Sequence, residues 1–420
     1  MKDYKNLLTA LEVNLESHER LEESLRRAHE QYFLWQAARP QLMARFDASC
    51  HESHGARVAE IFEHRQKGGK SIGTFCIYVP DEIAIAAGVI PIPLCGGSAW
   101  AITHADKILP RDICPLIRST FGMSISGTCP YKKLKDFAVG ETTCDAKKKA
   151  WDLFGFKVLE VPQKKKSADA SVWFAEVIEF KTMMEELSGV SITPLKLAES
   201  IRLMNHKRRV LQRISEYQKL PEPPISGLDA LLVSQVALNQ DINAFIADAH
   251  ALAYELQHRV QTGEAAYKKR GPRILMAGSP SPLGYAKIHY IAESSGLRIV
   301  ADESCTGSRY FRNLVDESHQ DLDGMLKAIA DRYFAIDCSC FSPNTERLDN
   351  IMKIIDEFQI QGVIHHILQY CHTYNIEARA IERALKKKGI PSLIIETDYS
   401  SEDEGQIRTR IEAFAEMIGK

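Results

Sequence analysis

Short apolar segments rich in β-branched residues recur along this chain, with polar or helical stretches between them. That alternation constrains the fold more than any other feature. Residues 72–79, 89–94 and 157–161 make one set, and residues 274–277, 297–301, 363–368 and 393–396 make a second. A strand, a helix and another strand in succession is the repeat of a parallel sheet, because parallel neighbours need a long crossover. The sequence therefore predicts an α/β protein with two parallel-sheet domains of the Rossmann-like (flavodoxin-like) kind. A length of 420 residues agrees with two or three domains.

The stretches around these sets are helical. Leu7, Leu8, Leu11 and Leu15 recur at helical spacing among many charges, and Gly68-Gly69 ends that pattern. Phe174, Val177, Ile178, Met184 and Leu187 fit one helix face, and Thr193-Pro194 is a helix start, an N-cap followed by proline. Pro221-Glu222-Pro223-Pro224 is a stiff connector. The expected organisation is an N-terminal helical region (1–66), a first α/β domain with helices (67–220), a helical connector (221–263) and a second α/β domain (264–420). The apolar stripe of the N-terminal helices would suit a dimer contact or a cover for their own domain equally well. The lysine runs at 147–149, 164–166 and 386–388 read as solvated faces.

Charge and hydropathy exclude several classes. With 53 Lys+Arg against 55 Asp+Glu, the chain does not advertise a nucleic-acid surface, a local patch aside. The longest apolar run, residues 83–94, is broken by Gly88, Pro91 and Pro93, well short of the roughly 20 residues of a membrane span. The N-terminus alternates charges with leucines and lacks the apolar core of a signal peptide. The expected location is the cytoplasm, where thiols stay reduced and clustered cysteines hold metal or do redox chemistry.

Ten cysteines are present: 50, 76, 95, 114, 129, 144, 305, 338, 340 and 371. None forms a C-x2-C pair, which argues against a zinc ribbon, a thioredoxin site or a ferredoxin module. Cys95, Cys305 and Cys371 follow expected strands, and Cys340 precedes a Ser-Pro-Asn turn. Ligands of open α/β sheets sit beyond the carboxyl ends of the strands, so one cleft between facing sheets would collect these thiols. Cys114-Pro115, Cys129-Pro130 and the Glu-Thr-Thr-Cys-Asp stretch around Cys144 place three more on turns. Soft thiolates select zinc, copper(I) or iron–sulfur clusters. Cys50, in a helical region, and Cys76, inside an expected strand, read instead as buried apolar residues.

Phosphate motifs are missing. There is no GxxxxGK[ST] loop, and the stretch from Gly278 to Gly284 carries two prolines where a phosphate cradle needs backbone N–H groups. It reads as a strand-to-helix turn, and the chain is not expected to hydrolyse ATP itself.

Cys114-Pro-Leu-Ile-Arg-Ser-Thr, Thr143-Cys144-Asp145-Ala-Lys-Lys-Lys and Gln369-Tyr-Cys371-His372 together resemble the 2-hydroxyacyl-CoA dehydratase D-component and benzoyl-CoA reductase subunit family. The resemblance runs from about residue 70 to the end and includes Ile395-Glu-Thr-Asp-Tyr-Ser. It implies a cubane 4Fe–4S cluster on Cys114, Cys144 and Cys371, charged by an ATP-hydrolysing iron–sulfur activator. The further LCGG, CPY, ESC and CSC stretches are similar to the branch that carries a double-cubane 8Fe–9S cluster. Two cubanes of four irons each, joined by one sulfide, leave six positions for thiolates. The resemblance then suggests Cys129, Cys305 and Cys340 for the second cubane, with Cys95 and Cys338 in reserve. No spacing rule chooses between Cys338 and Cys340.

The function this implies is a low-potential reductase of small unsaturated molecules, working as a homodimer. A dehydratase subunit with a single 4Fe–4S cluster and a CoA thioester substrate is the first alternative; a non-catalytic electron carrier is the second. Glu303 and His372 are candidates for proton delivery and Arg118 for neutralising cluster charge, each weighed against a loop salt bridge or a satisfied histidine.

Overall fold

The structure, a computed structural model, describes residues 4–94 and 96–419; Cys95 therefore lies outside the described residues. Strands β1 (Lys70–Thr74), β2 (Val89–Pro93), β3 (Ala138–Glu141) and β4 (Lys157–Leu159) form one sheet in the order β2-β1-β3-β4. Strands β5 (Arg273–Gly278), β6 (Arg298–Asp302), β7 (Gly362–Leu368) and β8 (Ser392–Thr397) form another in the order β6-β5-β7-β8. Every pairing is parallel. The two sheets thus share one strand order, and the protein is α/β with two Rossmann-like units preceded by a helical region. In each sheet the first strand is flanked by the second on one side and the third on the other. Loops leaving the carboxyl ends of those strands diverge there and open a crevice.

The expected strands are present, with two instructive differences. Strand β1 stops at Thr74, so Phe75 and Cys76 belong to the loop beyond it. Strand β3 is not among the expected segments, because Gly140 and Glu141 lack the look of a strand. Its setting explains them. A Cβ on Gly140 would lie 2.6 Å from the Trp151 ring, and the Glu141 carboxylate pairs with Lys147.

Strands β5 and β7 are buried along their whole length. Helices cover both of their faces, as all-parallel sheets require. Ile274 and Met276 pack toward Ile407, Ile411 and Phe414 on one side, and Leu275 and Val363 toward Ile351, Ile355 and Leu385 on the other. Helix Ser167–Ser188 crosses to the other half of the chain. Its Trp173 is buried and donates Nε1–H to the carbonyl of Ala330, 3.0 Å away, in helix Leu322–Phe334.

Four helices, Lys5–Ala10, Leu15–Tyr32, Met43–His51 and Ala56–Gln66, make the N-terminal region. Leu8, Leu11, Val58 and Ile61 pack with Ile92, Tyr131 and Leu134. Much of the apolar stripe is therefore buried within the same chain. No helix among the described residues is long and apolar enough to cross a membrane.

Candidate functional site

One cavity of about 1290 Å³ lies among the loops beyond both sheets and against the N-terminal helices, and all nine described cysteines line it. Small-molecule pockets run from roughly 300 to 1,000 Å³, so this one has room beyond a single small ligand. The nine thiols are free.

Cys114, Cys144 and Cys371 share a local design. Each is the residue immediately before a helix: Pro115–Ile125, Asp145–Phe154 and His372–Lys387. The backbone N–H groups of Leu116 and Ile117 reach Cys114, that of Lys147 reaches Cys144, and that of Tyr374 reaches Cys371. The positive ends of three helices therefore face three sulfurs, an arrangement that favours thiolate. Burial works against it, and with the thiols of Cys371 and Cys144 pushes Cys114 up to about 12.

Four more thiols join this group. Hydrogen bonds from Cys76 to Cys305 and from Cys340 to Cys338 pull Cys305 and Cys338 down. Cys338 in turn acts on Cys144, Cys305 and Cys371. Seven thiols are thus linked: Cys76 and Cys144 beyond β1 and β3, Cys114 between the strands, Cys305 and Cys371 beyond β6 and β7, and the Cys338–Cys340 pair.

Two cations face them, one partly buried and one fully buried. Lys147 pairs with Glu141 and lies 5.0 Å from the centre of the Phe75 ring; burial opposes its charge, but Glu141, Cys76 and Cys144 hold it cationic. The lysine run at 147–149 is therefore not wholly a solvated face. Arg309 places Nη1 3.5 Å from the Cys305 sulfur and donates to Tyr374 Oη at 2.6 Å, to Asp337 at 3.0 Å and to Glu303.

The other sequence candidates are placed as follows. Glu303 is buried between Arg309 and Arg347 and accepts from the Gly278 N–H at 2.9 Å. Burial alone would raise its carboxyl, yet the two guanidiniums hold it well below the usual carboxylate range. It stands here as an anion that locks Arg309 in place. His372 is exposed and lines the cavity. Arg118 turns to Asp106, with Nε 3.0 Å from the carboxylate. Cys129 lines the cavity in a different setting, among Tyr131, Leu134, Leu21 and Met123, with the Tyr131 and Lys132 N–H groups and the Lys135 charge acting on it. Cys50 lies near Asp47 and Glu22, and burial pushes it up to about 12.

Sequence reasoning passed over Cys76, Lys147 and Arg309. The signal for Cys76 was available: it sits just past the end of the central strand of the first sheet. Extending that strand to residue 79 hid it. Lys147 and Arg309 carry no such signal, because their burial comes from contacts remote in sequence.

The donor set tests what could sit here. A tetrahedral zinc ion uses four ligands, and seven linked thiols exceed that. Soft sulfur donors, flanking cations and N–H groups aimed at sulfur are what iron–sulfur clusters use. The residues present fit such a group.

Comparison with known proteins identifies the family. A family model described as 2-hydroxyglutaryl-CoA dehydratase, D-component, matches residues 76–418. The YjiM protein of Escherichia coli (strain K12), named as a dehydratase subunit, is 37% identical over 365 residues, covering 85% of this chain and 94% of its own. The (R)-phenyllactyl-CoA dehydratase beta subunit of Clostridium sporogenes is 24% identical over 370 residues, covering 85% of this chain and 94% of its own. One of the benzoyl-CoA reductase subunits of Thauera aromatica is 23% identical over 395 residues, covering 90% and 98%.

Proposed function

The chain belongs to the 2-hydroxyglutaryl-CoA dehydratase D-component family, and from that premise we propose that it is an iron–sulfur reductase of small unsaturated molecules. Its electrons would come from an ATP-hydrolysing iron–sulfur activator protein, and the working unit would be a cytoplasmic homodimer. The observation that carries this reading is the convergence of seven thiols, drawn from both sheets, on one cavity.

Cys114, Cys144 and Cys371 would hold one cubane. Cys76, Cys305 and either Cys338 or Cys340 would hold a second, with Cys76 taking the place the resemblance had given to Cys129. Bound there, the double cubane supplies one-electron chemistry at low potential. The chain's own residues set the conditions. The helix ends before Pro115, Asp145 and His372, together with Lys147 and Arg309, offset negative charge on sulfur. Phe75, Ile77, Phe341 and Tyr374 line the cavity and keep water from the sulfurs. His372, on the cavity wall, is placed to move protons between solvent and a bound substrate.

Iron per chain decides the matter. Protein purified without oxygen should hold about eight iron atoms per chain, the content of two cubanes. About four would favour the second reading, a dehydratase subunit with one cubane, toward which the names of the relatives lean. No iron, or zinc in its place, would overturn both.

A further inference from the structure

The cavity has a second wall, far in sequence from the seven linked thiols and different in chemistry. Helix Leu15–Tyr32 carries His18 and Glu22 one turn apart on one face, and the turn after helix Met43–His51 carries His54. All three line the cavity. Their ligand-type atoms, one from each residue, lie within 4.8 Å of one another. Glu22 Oε1 is 2.8 Å from His54 Nδ1 and 3.8 Å from His18 Nε2, and the two imidazole rings are 5.3 Å apart between centres.

Beyond the contacts of Glu22 with the two imidazoles, these atoms have no partner among the described residues. His18 is 95% buried, with 5% of its surface exposed. His18 Nε2, Glu22 Oε1 and His54 Nδ1 are all buried with no hydrogen bond of acceptable geometry. The Glu22–His54 approach is at ion-pair distance, and outside this trio neither atom has another partner. Buried polar atoms seldom go unsatisfied, and three of them facing one point call for a shared partner.

We propose that His18, Glu22 and His54 form a binding site for one divalent first-row transition ion, zinc or iron(II). Two imidazoles and one carboxylate are a ligand set used by both ions, with an open position left over. Atoms about 2.0–2.2 Å from a tetrahedral ion lie roughly 3.3–3.5 Å apart, so the separations seen here need only small side-chain rotations. The three residues precede the segment matched by the family model, and none belongs to the thiol group. The open position faces the cavity, where water or a polar group of a bound molecule would complete the shell. This site does not depend on what the thiols hold.

The test uses full-length protein prepared without oxygen, with its thiols already loaded with iron. It is incubated separately with zinc chloride and with ferrous sulfate, desalted and assayed for metal. The expected result is one added metal ion per chain in at least one of the two incubations, with zinc held more tightly than iron(II) as the usual order of divalent affinities requires. His54→Ala and Glu22→Gln should each weaken retention by at least about 100-fold, the upper end of what losing even an outer-shell partner costs. The iron already on the thiols and the circular dichroism should stay unchanged. Wild-type protein that retains no added ion, or variants that retain as much as wild type, would overturn the site and leave Glu22–His54 as an ion pair only. Should a variant misfold, cobalt(II) bound to wild type decides. Visible d–d bands without a sulfur-to-metal charge-transfer band support the site, and that charge-transfer band, or no bands, overturns it.

Discussion

Arg309 bridges sulfur and carboxylate: its Nη1 lies 3.5 Å from the sulfur of Cys305, while its Nη2 donates to Glu303. One guanidinium thus fixes the position of a thiol and offsets its charge. Glu303 and Asp337 hold it from behind, and both are buried. Arg309→Met leaves those two carboxylates short of a partner. Breaking a buried ion pair from one side costs about 3–5 kcal/mol, and denaturant unfolding should show a loss of that size. A loss within experimental error would mean that Arg347 and Arg312 suffice to satisfy them.

Cys76 and Cys129 separate two assignments of the second trio. Cys76 is hydrogen-bonded to Cys305, whereas Cys129 packs among Tyr131 and Leu134. Cys76→Ser should lower iron to about half, one cubane of two, and Cys129→Ser should leave it unchanged. The reverse pattern would return Cys129 to the ligand set and remove Cys76.

Glu293 offers a pH signature far from the thiols. Burial pushes its carboxyl up to about 8, although Tyr267 Oη and the Gly227 N–H donate to Oε1 at 2.6 and 2.8 Å. A raised carboxyl means that the folded protein holds the proton more tightly than the unfolded chain. Its contribution to stability is therefore complete below its ordinary value of 4.5 and is lost as pH rises through about 8. Glu293→Gln imitates the protonated acid and keeps an acceptor for both donors. Urea unfolding at pH 5 and at pH 8 should show the variant gaining on wild type at the higher pH. Parallel changes in the two proteins would show that Glu293 does not titrate in that window.

Gly122 is the contact point of two helices beside the site. A Cβ there would stand 1.9 Å from the carbonyl oxygen of Ala101, in helix Ala99–Ala105. Gly122→Ala must push helix Pro115–Ile125 away, and Cys114 directly precedes that helix. Overpacking of this kind costs about 1–3 kcal/mol. The melting temperature should fall and iron retention with it. An unchanged melting temperature would show that the helix pair shifts freely.

Seven of the eight strands were legible because short apolar stretches such as Ile274 to Ala277, or Val363-Ile364 and Ile367-Leu368 around a histidine pair, report burial directly. Strand β3 was not, since Gly140 and Glu141 answer to Trp151 and Lys147 rather than to strand propensity. Cys114, Cys144 and Cys371 stood out through their neighbours. The His18, Glu22 and His54 group did not, because its third member comes from another helix pair, and spacing says nothing about how two helices pack.

The order of residues by itself determined the βα alternation, the absence of a P-loop and the placing of most thiols on turns or past strand ends. These are local properties, carried by periodicity and by what proline, glycine and apolar runs allow the backbone to do. Only the tertiary structure decided that the carboxyl ends of both sheets open on one cavity. It also decided that Cys76 belongs with Cys305, that Arg309 is buried against the Cys305 sulfur, that Lys147 sits partly buried within reach of the charges of Cys76 and Cys144, and that the N-terminal stripe covers its own chain. The physical reason is that a hydrophobic face or a buried charge records the need for a partner, while the partner's identity is settled by long-range packing.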